Sequence, residues 1–214
     1  MRGGLFGVRL PEISLERTGG GAFSSRPLMI YSLTLETALV LAGLLLIAVC
    51  GFALLKPAAA EQWLRAFPRS KSLGFALISA VAIWFFVLVQ VMDLGEFSNW
   101  RRTILIATPI AWYLAWKYVD EFLAARALGM LTLLAAEPLL EAAFLRPETS
   151  RLFLVTPIYV AIAFALFWVG MPFTLRDQIG WLLASRIRWK MAAIAGVAYG
   201  VLLVVLPFTF GKSA

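Results

Sequence analysis

Residues 117–146, KYVDEFLAARALGMLTLLAAEPLLEAAFLR, decide how this chain folds. They lie in the middle of a sequence that otherwise reads as lipid-soluble helix, yet they carry Asp120, Glu121, Arg126, Glu137 and Glu141. A charged group at the centre of a bilayer costs about 2.5–3.5 kcal/mol on insertion scales, so each of these is a candidate functional residue. On a helix turning about 100° per residue, Arg126 and Glu137 return to nearly the same face, with Met130 and Leu133 between them and Glu141 one turn beyond. Their axial separation is about 16 Å, too far for a direct ion pair, so each needs a partner on another helix or water. The uninterrupted apolar run, Ala127 to Ala136, is only 10 residues long. That length predicts a short, kinked or re-entrant span. Pro138 removes a backbone donor beside Glu137 and places the kink there. The plainer alternative is an ordinary span in which Arg126 snorkels to one interface and Glu137 is neutral or paired.

The rest of the chain defines the class. Its 214 residues are 62% hydrophobic and 14% charged, with a mean hydropathy of +0.87. Soluble domains average about 25% charged residues and are less than half apolar. Several charge-free runs are long enough to cross a bilayer. The expected fold is therefore an all-α, polytopic transmembrane helix bundle of about six spans, near 31–55, 73–92, 103–119, 127–145, 152–175 and 191–211. These form one domain over 31–211, behind a polar, glycine-rich N-terminal arm at 1–30 that is expected to be flexible.

Two loops, KPAAAEQWLRAFPRSKS at 56–72 and RDQIGWLLASRIRWK at 176–190, each carry four Lys or Arg. Each also has an apolar stripe at helical spacing: Ala60, Trp63, Leu64 and Phe67 in one, and Ile179, Leu182, Leu183 and Ile187 in the other. Basic residues with tryptophan on such a stripe predict helices lying in the membrane interface. Six spans put both loops on one side. That side holds ten cations: Lys56, Arg65, Arg69, Lys71, Lys117, Arg126, Arg176, Arg186, Arg188 and Lys190. Seven lie within reach of a span on the other: Arg17, Arg26, Arg101, Arg102, Arg146, Arg151 and Lys212. The positive-inside rule makes the richer side cytoplasmic and the membrane a cell (inner or plasma) membrane. The net charge of +7 suits an anionic lipid surface, and no aromatic-and-basic nucleic-acid module accompanies it.

Much chemistry is excluded. There is no histidine, so His-ligated metals, Ser-His hydrolysis and HExxH proteolysis are unavailable. The single cysteine, Cys50, lies in an apolar run and reads as packing. Glu121-Phe-Leu-Ala-Ala-Arg126 has the spacing that opens the CDP-alcohol phosphotransferase signature. Phe122, however, stands where that family has glycine, and the downstream glycine and paired aspartates are missing, which excludes it. No cofactor or metal set is expected. Gly196-x-x-x-Gly200 is a small-xxx-small pair that lets one helix pack closely on another. Thr-Pro-Ile recurs at 108–110 and 156–158, a weak internal echo.

These features favour a non-enzymatic membrane component, an accessory or assembly subunit that meets the bilayer and another membrane subunit or a second copy of itself. Arg126, Glu137, Glu141, Asp120, Glu121 and Asp93 are its candidate functional or docking residues. The alternative is a small solute or ion carrier whose pathway uses the same intramembrane charges. An intramembrane enzyme is disfavoured, because nothing beyond Glu137 and Glu141 resembles acid–base machinery.

Overall fold

The computed structural model describes residues 33–92, 94–118, 122–144 and 150–210. The N-terminal arm, Asp93, Asp120 and Glu121 lie outside the described residues. Every regular element among the described residues is helical. Eight α-helices follow in order: α1 Leu35–Leu55, α2 Pro57–Ala66, α3 Lys71–Val91, α4 Arg101–Tyr118, α5 Leu123–Ala143, α6 Ser150–Gly170, α7 Phe173–Leu183 and α8 Arg186–Phe210. Two 3-10 segments, Phe67–Arg69 and Gly95–Trp100, precede α3 and α4.

Helix starts follow their capping residues. The Thr34 hydroxyl accepts from the Thr37 amide at 3.3 Å, and the Ser70 hydroxyl accepts from the Leu73 amide at 3.3 Å. Each satisfies an amide that has no partner inside its helix. Pro57 opens α2, where a missing N–H costs nothing. Phe122, before α5, takes the left-handed conformation at φ 57°. Its carbonyl receives the amides of Ala125 and Arg126, and its ring packs against the core around Phe67 and Ala124.

Five helices, α1, α3, α5, α6 and most of α8, are long and apolar enough to cross a membrane. They bear large apolar side chains on their outer faces, among them Leu45, Val49, Ile83, Leu166 and Ile194. A bundle solvated by lipid does this, because hydrocarbon imposes no penalty on an exposed leucine. Two pairs, α1–α8 and α5–α6, are antiparallel and closely packed. In the α1–α8 pair, a Cβ built on Gly43 would lie 2.7 Å from the Gly200 carbonyl, and one on Gly200 would lie 2.8 Å from Ile47 Cγ1. A Cβ on Gly196 would collide with Cys50 Sγ. Close approach requires glycine at all three positions, and the gain is van der Waals contact between backbones. The α5–α6 pair uses Gly129 in the same way, against Ala165 and Val169.

α4 runs antiparallel along α3. Trp112 Nε1 donates to Ser79 Oγ at 3.0 Å, Trp116 packs on Phe75, and Arg101 donates to the carbonyls of Gln90 and Met92. α5 then runs parallel to α3, with Gly74 close against Leu123 and Ala124. A core of Leu39, Ala136, Leu154, Ile158 and Leu203 joins α1, α5, α6 and α8 at one end of the bundle. A second, of Phe67, Ala124, Ala125, Leu175 and Ile179, seats α7 and the Phe67 turn on the start of α5 at the other.

Three expectations change. The fourth span is not short: α5 has 21 residues, as many as α1, α3 and α6, and continues helically through Pro138. Its charges lie inside the helix, so the charge-free run underestimates its length. The stripe at 176–190 does not belong to one helix, because α7 stops at Leu183 and Ile187 is in α8. The fifth span ends at Gly170, short of 175, where Met171-Pro172 separates α6 from α7. Of the two stripes, Ala60, Phe67 and Ile179 are buried against protein, Leu64, Leu182 and Leu183 are half-buried, and Trp63 is exposed.

Candidate functional site

The charged residues of α5 lie on the helix that touches most of the bundle. α5 packs against α3, α6, α1 and the Phe67 turn. Nine of its residues are buried, seven of them alanine or glycine apart from Leu123 and Pro138. Small residues let neighbouring helices approach on those sides, and the remaining side carries Arg126, Met130, Leu133, Glu137 and Glu141.

That side borders a cleft. Ile78, Val81 and Phe85 of α3 form its floor, Thr108 and Trp112 of α4 one wall, and Met130, Leu133 and Leu134 of α5 the other. Its volume is about 570 Å³, within the roughly 300–1,000 Å³ of small-molecule sites. Its lining is almost wholly apolar, with the Thr108 hydroxyl donating back to the Ile104 carbonyl at 2.8 Å. Pro138 withdraws the N–H that would close on the Leu134 carbonyl, leaving a helix acceptor beside this wall without its usual donor.

Arg126 lies one turn before Met130, at the start of α5. Its residue is half-buried, and its Nε is fully buried without a hydrogen-bond partner. It makes no ion pair among the described residues. Glu137 is the fifteenth residue of α5 and Glu141 the nineteenth, both half-buried and one turn apart in the last third of the helix. Neither carboxylate forms an ion pair with a described residue, and Arg126 is about 16 Å away along the axis. The cation and the two acids therefore stand at opposite ends of the cleft wall. Asp93, Asp120 and Glu121 lie outside the described residues.

No family model, curated protein or solved structure matches the chain. What the site can do must be argued from its own chemistry. Among the described residues, one side of α5 carries the Arg126 guanidinium, the apolar wall of a cleft and two half-buried acids. No group of three or more potential metal ligands occurs among the described residues.

Several residues of this region were not singled out from sequence. Ser79 and Trp112 hold α4 to α3. Tyr199 donates to the Phe153 carbonyl at 2.6 Å, the acceptor that Pro157 leaves without its i+4 amide. A proline four residues after a carbonyl marks the free acceptor in sequence. Which helix supplies the donor is not written there.

Proposed function

We propose that the protein is a non-enzymatic component of a cell membrane, an accessory or assembly subunit that docks a second membrane protein along the α4–α5 cleft. The observation that carries this reading is Arg126, whose buried Nε has no acceptor among the described residues. An unpaired polar group in a low-dielectric site is costly, and a carboxylate or carbonyl from a partner helix relieves that cost. The apolar cleft next to it accepts that helix's side chains.

The reading includes six crossings. α4 supports the sixth: its 18 residues reach about 27 Å, close to the roughly 30 Å hydrocarbon core. Its pairing with α3 runs from Phe75 to Met92, and its cations, Arg101, Arg102 and Lys117, sit at its two ends where they can snorkel. α2 and α7, which contact each other, then share the side richer in Lys and Arg, the cytoplasmic side. In a Cys50→Ala background, cysteines at Ser70 and Ser185 should resist an impermeant outside reagent in intact cells. Labelling of either reverses or breaks this topology.

Co-purification from native membranes in mild detergent tests the docking role. A second membrane polypeptide should accompany the wild type and be lost from Arg126→Gln at unchanged yield. A lone monomer for both ends the subunit reading. The carrier alternative predicts ion-coupled uptake into liposomes that Glu137→Gln abolishes.

A further inference from the structure

We propose that the pocket between α2, the Phe67–Arg69 turn and α7 binds the phosphate of an anionic lipid headgroup. It requires only that this end of the bundle lies at the membrane surface, and it stands whether or not a partner docks on α5. Arg65, Arg69 and Arg176, from three separate elements, line one pocket of about 260 Å³. Leu64, Ile179 and Gly180 complete its walls. That volume accommodates a headgroup phosphate with part of its glycerol, and leaves the acyl chains to the bilayer.

Guanidinium groups present paired donors that match phosphate oxygens, and the three arginines lining this one small space supply such groups. The pocket is held in shape by the core beneath it, where Phe67 packs on Ala124, Ala125, Leu175 and Ile179. Arg65 and Arg176 have carboxylate neighbours, Glu61 at 3.0 Å and Asp177 at 3.1 Å. Both pairs are exposed, and exposed pairs exchange readily for a doubly accepting phosphate. Arg69 has no ion pair among the described residues. Trp63 and Trp181, on the outer surfaces of the same two helices, are exposed, as indole rings are at headgroup depth.

Gly180 offers a clean test. A Cβ built there meets no atom within 4 Å, so Gly180→Leu starts a side chain in open space at the pocket wall and replaces a helix-weakening residue with a good helix former. Native mass spectrometry of purified protein in micelles doped with phosphatidylglycerol or phosphatidylcholine reads the retained lipid. The wild type should retain phosphatidylglycerol selectively. Arg69→Gln should weaken that retention about tenfold, the effect of losing one charge-assisted contact. Gly180→Leu should abolish the selectivity at unchanged melting temperature, and Arg188→Gln, outside the pocket, should leave it intact. Selectivity that survives Gly180→Leu, or falls equally with Arg188→Gln, means diffuse surface charge and overturns the site. Excess inorganic phosphate should fail to displace the lipid. Displacement would make the ligand a soluble phosphate and overturn the lipid assignment.

Discussion

α1 and α5 have the same length and opposite logic. Both are 21 residues, and α1 is the most hydropathic of the membrane-length helices while α5 is the least. Yet four residues of α1 are buried and nine of α5. In water the most apolar helix would be the innermost. In lipid the ranking inverts, because hydrocarbon already solvates leucine and only close packing rewards burial. α1 shows Leu44, Leu45 and Val49 to its surroundings and touches α8 along a glycine seam. α5 is built of alanine and glycine so that α3, α6 and α1 can close around it, and that protected position is where charge can be held.

The largest effect that separates the two helices should come from filling their glycines. A Cβ at Gly129 of α5 lies 2.8 Å from the Ala165 carbonyl, whereas one at Gly51 of α1 meets nothing within 4 Å. Gly129→Leu should abolish a monodisperse, heat-cooperative species in detergent, since overpacking costs about 1–3 kcal/mol and more where backbone must move. Gly51→Leu should behave as wild type. Equal tolerance at both sites breaks the comparison.

Charge at the hub comes next. Glu137→Gln should fold and express normally, and Glu137→Lys should lose most of its yield, because a lysine in the last third of α5 must desolvate or tear the packing around Ala136 and Pro138. Wild-type yield of the lysine variant would place Glu137 in water. Loss of the glutamine variant would mean a charged Glu137 held by a cation.

The smallest effect sharpens how polar backbone is satisfied between helices. Tyr199→Phe should cost about 0.6–1.7 kcal/mol, the range of intramembrane hydrogen bonds. The cost should vanish in a Pro157→Ala background, where the Phe153 carbonyl regains its helical donor. A double-mutant cycle on thermal unfolding measures this, and additive effects would detach the tyrosine from the proline.

Membrane residence and most helix positions were legible in the chain, since charge-free runs are local features. Residues 117–146 were visible as the chain's exceptional stretch for the same reason. Their status as a full-length helix was not. Arg126 and Glu137 interrupt the apolar run, and only the surrounding helices show that α5 is sheltered enough to continue through them. α4 was legible as a helix by its apolar run, and its antiparallel bond to α3 through Trp112 and Ser79 was not.

Sequence by itself determined the solvent, the excluded chemistries and the residues with no inexpensive place in lipid, because composition and spacing are properties of the unfolded chain. Tertiary structure alone decided which faces meet. It buried Ala60, Phe67 and Ile179 against protein and brought Arg176 to Arg65 and Arg69, more than 100 residues away in the chain, around one pocket. It also left the buried Nε of Arg126 without an acceptor among the described residues, beside an apolar cleft. Those outcomes depend on contacts between helices distant in sequence, and pairings of that kind are fixed by shape complementarity among small residues that no local pattern encodes.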